Sequence, residues 1–181
     1  MVTSGDQDAG GFWHMTKAQL KTIIDAFSQI AWPAPAEATD RLLEQLGWER
    51  VRLRVARMGV LARNDAASIG LADSEDGEDT RFDTLRFLVA DVVKGPDAVR
   101  VLEMYRTMVG WVSEIVGPAA ANREPSPHPD AGPDFPITWW DLPSGGGVQL
   151  YYINGVTMEL MSQKAAEGER FDREHPEYGS H

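Results

Sequence analysis

Cysteine is absent from the chain, which excludes disulfides, thiolate metal sites and a cysteine nucleophile. Basic residues are scarce: 17 Lys and Arg stand against 28 Asp and Glu, a net charge of −11. Nucleic acids and anionic membranes are bound through basic stripes that neutralise phosphates, so this balance argues against both as partners. It favours fast encounter with a basic protein surface instead. No apolar run approaches the roughly 18 residues of a membrane span. Met1–Asp8 has neither a basic nor an apolar stretch of the kind a secretory signal needs, and the expectation is a cytoplasmic protein. Chemistry-bearing motifs are equally scarce. His14, His128, His175 and His181 fall in no metal-ligand spacing such as H-E-x-x-H, and no G-x-S-x-G is present. Neither a metal nor a cofactor is expected, and the chain does not read as an enzyme.

What is present reads as one domain. Of 181 residues 43% are hydrophobic, enough to bury a single core. Residues 1–11 form a flexible lead-in, 12–162 the α+β domain and 163–181 a mobile charged tail poor in apolar residues. Thr16 and Gln19 have the spacing of a capping box, and Leu20, Ile23, Ile24 and Phe27 follow on one helical face. Trp32-Pro33-Ala34-Pro35 stops that helix. A second runs from about Ala36 to Leu46, with Leu42, Leu43 and Leu46 inward and Gly47 as its C-cap. The two form a helical hairpin. Val51–Val55 alternates apolar and basic residues and reads as one half-buried strand, with Arg50, Arg52 and Arg54 lining a face. That stripe either meets an acidic ligand or pairs with acids on neighbouring strands. Asp73, Glu75, Asp76, Glu78 and Asp79 crowd a short acidic segment that lacks the spacing of a calcium loop; it reads as an exposed turn or as a docking loop for a basic partner.

Arg81–Val93 predicts a long strand, with Leu85, Phe87 and Val89 on one face and Thr84, Arg86 and Leu88 on the other. A long helix then carries Val101, Tyr105, Met108 and Val112 inward and ends at Gly117-Pro118. A proline-rich loop follows. Ile137–Met161 reads as a three-stranded antiparallel meander whose closing hairpin turns at Asn154-Gly155. Parity places Trp139 and Trp140 on opposite faces, and Tyr151 and Tyr152 likewise. One Trp and one Tyr are therefore either left on an open face as interface anchors or covered by the N-terminal helical hairpin; Trp140 and Tyr151 are taken for the anchor role beside Asp73, Glu75, Asp76 and Glu78. Glu159 and Asp141 could form a carboxylate pair across the meander, although pairing with arginines is the more ordinary arrangement.

The resulting fold is an antiparallel sheet of five or six strands, with one long helix across it and an N-terminal helical hairpin. Its order — two helices, Leu46-Gly47-Trp48, strands, a helix ending Ile115-Val116-Gly117-Pro118, then Ile137-Thr-Trp-Trp and a hairpin — resembles small actinobacterial domains associated with polymorphic toxin systems. More loosely it resembles the mycobacterial immunity factor for tuberculosis necrotizing toxin, an NAD-degrading enzyme. The resemblance implies an acidic, cofactor-free immunity protein that binds a cognate toxin and blocks its active site; the free chain is expected to be a monomer. A chaperone or adaptor for an exported protein and a small-ligand-binding domain are the other readings.

Overall fold

A computed structural model describes residues 6–7, 12–59, 65–72, 81–92, 98–124, 135–153 and 155–175. The chain opens with two short strands, β1 (Asp6–Gln7) and β2 (Trp13–His14), before helix α1 (Lys17–Ser28). Thr16 caps α1 as its spacing predicts: its hydroxyl accepts the Gln19 amide, and the Gln19 side chain accepts the Thr16 amide. Strand β3 (Ala34–Pro35) leads into α2 (Ala36–Leu46), which Gly47 terminates at φ 74°, a left-handed conformation suited to glycine. Then come β4 (Glu49–Arg52), β5 (Val55–Arg57), β6 (Ala66–Leu71) and β7 (Arg81–Ala90). Helix α3 (Ala98–Val116) precedes β8 (Ala121–Arg123), β9 (Ile137–Asp141), β10 (Gly147–Tyr152) and β11 (Val156–Met161), and α4 (Gln163–Glu174) follows.

The described strands form one antiparallel sheet of 11, in the order β4-β5-β6-β7-β11-β10-β9-β8, with β2 and β3 also pairing with β7 and β1 with β2. Five or six strands were expected. The difference has two causes. Strands of two or three residues, such as β1, β2, β3 and β8, carry too little alternation to read. The run expected as one strand, Val51–Val55, is instead a hairpin: Arg52 pairs with Val55, and Leu53, at its tip, is 57% exposed. Apolar–basic alternation continues through that turn, so periodicity alone cannot see it. The arginine stripe breaks there too. Arg50 pairs with Asp40 of α2 and lies over the Phe82 ring, while Arg54 donates to the Ile69 carbonyl.

Helices α1, α2 and α3 form one layer. Their buried residues Leu20, Ile24, Leu43, Leu46, Val101 and Met108 join one core with Leu85, Phe87, Leu150 and Leu160 of the sheet. Burying each such side chain contributes about 1.5–3 kcal/mol. The helical hairpin is therefore part of a three-helix layer rather than a separate unit. The segment expected as a mobile tail, from residue 163, is helical to Glu174. Ser162 caps α4, and Ala166 is buried against the opposite side of the sheet from α3. A low apolar content hid this helix, because it docks through one small residue and ion pairs. Gly147 provides its seat: a Cβ there would lie 3.1 Å from the Ala166 Cβ. The β10–β11 connection spans Ile153–Gly155, since Tyr152 pairs with Val156. Asn154, half of the predicted turn, lies outside the described residues.

Among the described residues no helix is long and apolar enough to cross a membrane.

Candidate functional site

Strand parity sorts the sheet into two chemically distinct faces. Toward α1–α3 point Leu85, Phe87, Leu150, Met158 and Leu160, all buried. On the opposite face, register aligns Ser68 with Arg86, Arg86 with Glu159, Glu159 with Gln149, and Gln149 with Trp139. A polar row thus crosses β6, β7, β11, β10 and β9. Helix α4 meets the sheet at β7, β10 and β11. Its principal contacts do not extend to β5 or β6.

The centre of the row is a two-point ion pair. Arg86 Nε donates to Glu159 Oε2 at 2.9 Å, and Arg86 Nη2 donates to Oε1 at 3.1 Å. The partners differ in burial: the Arg86 side chain is 54% exposed and that of Glu159 only 10%. Burial raises the Glu159 carboxyl above its ordinary pKa, and Arg86 pulls it back only in part. For Arg86, burial works against the charge, but Glu159, Tyr151 and Glu169 together outweigh it and hold the pKa above its ordinary value. The fork geometry fixes the guanidinium in place.

Two hollows adjoin this pair. The first, about 330 Å³, lies over β5, β6 and β7 and is lined by Arg54, Ser68, Gly70, Thr84, Arg86 and Glu159. Its floor is narrow because β6 crosses β7 closely: a Cβ on Gly70 would come within 1.9 Å of Thr84 Oγ1. The second, about 220 Å³, is walled by the same ion pair and by Phe135, Ile137, Tyr151 and Glu169. The rings of Phe135 and Tyr151 lie 6.2 Å apart and tilted at 44°. Burial raises the Tyr151 hydroxyl's pKa, with Arg86 opposing the shift, so the phenol is a neutral hydrogen-bonding group near neutral pH.

The residues singled out in the sequence are distributed unevenly. Tyr151 is on the polar face and lines the second hollow. Trp140 is not on that face. It points to the helices, is 1% exposed and donates from Nε1 to Ser113 Oγ of α3 at 3.1 Å. The two tryptophans do split by parity, but it is Trp139 that takes the polar face. There Arg123 and Arg173 lie over its ring at 5.7 and 5.0 Å, and it is 6% exposed. Alternation gives the split and leaves its sense open. Asp73, Glu75, Asp76 and Glu78 lie outside the described residues.

Glu159 and Asp141 do not act as a carboxylate pair. Each has its own guanidinium: Arg86 for Glu159, and Arg170 of α4 for Asp141 at 2.7 Å. The stripe at Arg50–Arg54 supplies neither partner. Arg86 was placed on its face by parity, but its pairing with Glu159 depends on β7 and β11 being neighbours, and 73 residues separate the two. The described histidines are also engaged elsewhere: His14 Nδ1 is 3.1 Å from the Met15 carbonyl, and His175 caps α4. No cluster of three or more metal-ligating side chains occurs among the described residues.

Residues 18–162 match a family of unknown function, DUF6301, and the chain belongs to that family. The match ends where α4 begins. No curated protein and no solved structure matches the chain.

Proposed function

We propose that this chain is an immunity protein that docks a folded toxin through the polar face of its sheet and occludes the toxin's active site. The observation carrying this reading is the pre-positioned Arg86–Glu159 pair, flanked by Tyr151 and Phe135 on a face that α4 covers only in part. Arginine and tyrosine are the residues that most often anchor protein interfaces, and a fixed fork loses little side-chain entropy on binding. The engagement of Glu159 and Asp141 with arginines supports a binding role over acid–base chemistry. The net charge of −11 suits a partner whose surface is basic, as the cleft of an enzyme acting on anionic substrates is.

The test is recovery of a partner by the immobilised full chain, followed by assay of that partner's catalytic activity. Stoichiometric recovery with activity lost on addition of this chain is expected. Tyr151→Ala should weaken the complex by about 2 kcal/mol while leaving the far-UV spectrum unchanged. A partner that stays active when bound would favour an adaptor or chaperone. Neutralising Asp73, Glu75 and Asp76 together as Asn, Gln and Asn should slow association at low salt, and an unchanged on-rate would remove that segment from any steering role.

A further inference from the structure

The hollow over β5–β7 holds several hydrogen-bond donors that no described residue uses. Arg86 spends Nε and Nη2 on Glu159, and no described residue accepts from its Nη1. Among the described residues Arg54 donates only through Nε, to the Ile69 carbonyl at 3.4 Å, and none of them accepts from its two terminal nitrogens. The hydroxyls of Ser68 and Thr84 line the same space. Among the described lining residues the one carboxylate is Glu159, and each of its oxygens already accepts from Arg86. Donors in excess of acceptors select an anion.

Charge then selects the anion. Arg54 and Arg86 supply two positive charges, against Glu159 at the wall and Asp83, whose Oδ1 lies 3.5 Å from where a Gly70 Cβ would sit, so the hollow tolerates one negative charge at most. A phosphate, carrying up to two, would be repelled by Glu159 at the hollow's wall. The flat, two-oxygen shape of a carboxylate matches the remaining edge of a guanidinium. We infer that the hollow formed by Arg54, Ser68, Thr84 and Arg86 is a binding site for a carboxylate group. The site stands without any toxin partner, and its test needs none.

The full chain, labelled with ¹⁵N, is titrated with sodium acetate against sodium chloride at matched ionic strength. The arginine Nε–H signals and the amides of Ser68, Gly70 and Thr84 are followed by NMR. A saturable shift confined to these signals is expected. Arg54→Gln, at an exposed position, should weaken binding roughly tenfold, and Thr84→Val several-fold, as charge-assisted and neutral hydrogen bonds are lost respectively. Arg86 is left in place because its removal strands Glu159. Shifts equal to those with chloride, or an unchanged affinity in Arg54→Gln, would overturn the site. Inorganic phosphate should bind more weakly than acetate, and tighter phosphate binding would overturn the choice of carboxylate. A glutamate blocked at both backbone ends and free succinate separate the two sources. Tighter binding of the first supports a partner's acidic side chain in the hollow, and tighter binding of the second supports a free acid.

Discussion

The two faces of this sheet use the same strands to opposite ends. Toward α1–α3, alternate residues of β7, β10 and β11 such as Phe87, Leu150 and Met158 are apolar and closed off from solvent. One residue further along each strand, the other face carries Arg86, Gln149, Tyr151 and Glu159. The first face is stabilised by close packing, whose strength depends on volume and shape. The second is held by directed contacts between a few charged and aromatic groups. Stability thus rests on one set of alternate residues and the proposed recognition on the other, and a substitution shifted by one position should change which property suffers.

The largest test of that division is Phe87→Ala, on the packed face. It should cost about 3–5 kcal/mol by urea denaturation, from lost transfer energy and the cavity left behind. The acetate response per folded molecule should be unchanged; a lost response in folded protein would show that the two faces are not separable. Next comes Arg86→Gln, one position along. Removing a partner from a fully buried pair costs about 3–5 kcal/mol, but Arg86 is 54% exposed, so a loss of about 1–3 kcal/mol is expected. Adding Glu159→Gln should restore part of it, and a double variant no better than the single would mean the pair contributes little.

The third test is pH. The folded state raises the Glu159 pKa, so it binds a proton more readily than the unfolded chain does. The stability this residue contributes is then fully present below the ordinary glutamate value of about 4.3 and is lost as pH rises through the folded value. The urea midpoint of the parent, relative to Glu159→Gln, should fall over that interval. A relative midpoint that rises with pH instead would show that Arg86 dominates the carboxylate. The smallest effect belongs to Arg170→Ala, which unties α4 from Asp141 at the rim. A loss of about 0.5 kcal/mol is expected, with faster amide exchange confined to α4. Exchange that also quickened in β10 would show that α4 supports the sheet itself.

What could be read in the sequence followed the strength of local signals. The Thr16–Gln19 box, the α2 stripe with Gly47, the end of α3 at Gly117 and the two faces of β7 are all encoded within a few residues, and the structure bears them out. The turn at Leu53 and the helix from Gln163 escaped because neither interrupts or creates a hydrophobic period. Within the site, Tyr151 was legible as an aromatic at an alternating position. The Arg86–Glu159 pair was not, since strand order is a property of the whole sheet and leaves no mark at either residue. Trp140 shows the same limit: alternation separated it from Trp139 without saying which side the helices would cover.

One feature of the ion pair reaches beyond either hollow. Arg86 and Glu159 form a wall common to both, and the Tyr151 hydroxyl on the far side responds to the Arg86 charge. The hollows are therefore not independent. A negative group seated against Arg86 from the β6 side offsets the charge felt beyond the wall, making that space less receptive to a second anion and more receptive to a cation. Thermodynamic linkage makes the effect equal in both directions. With the proposed site occupied, ligands would be told apart by the order in which they present opposite signs across a single side-chain wall.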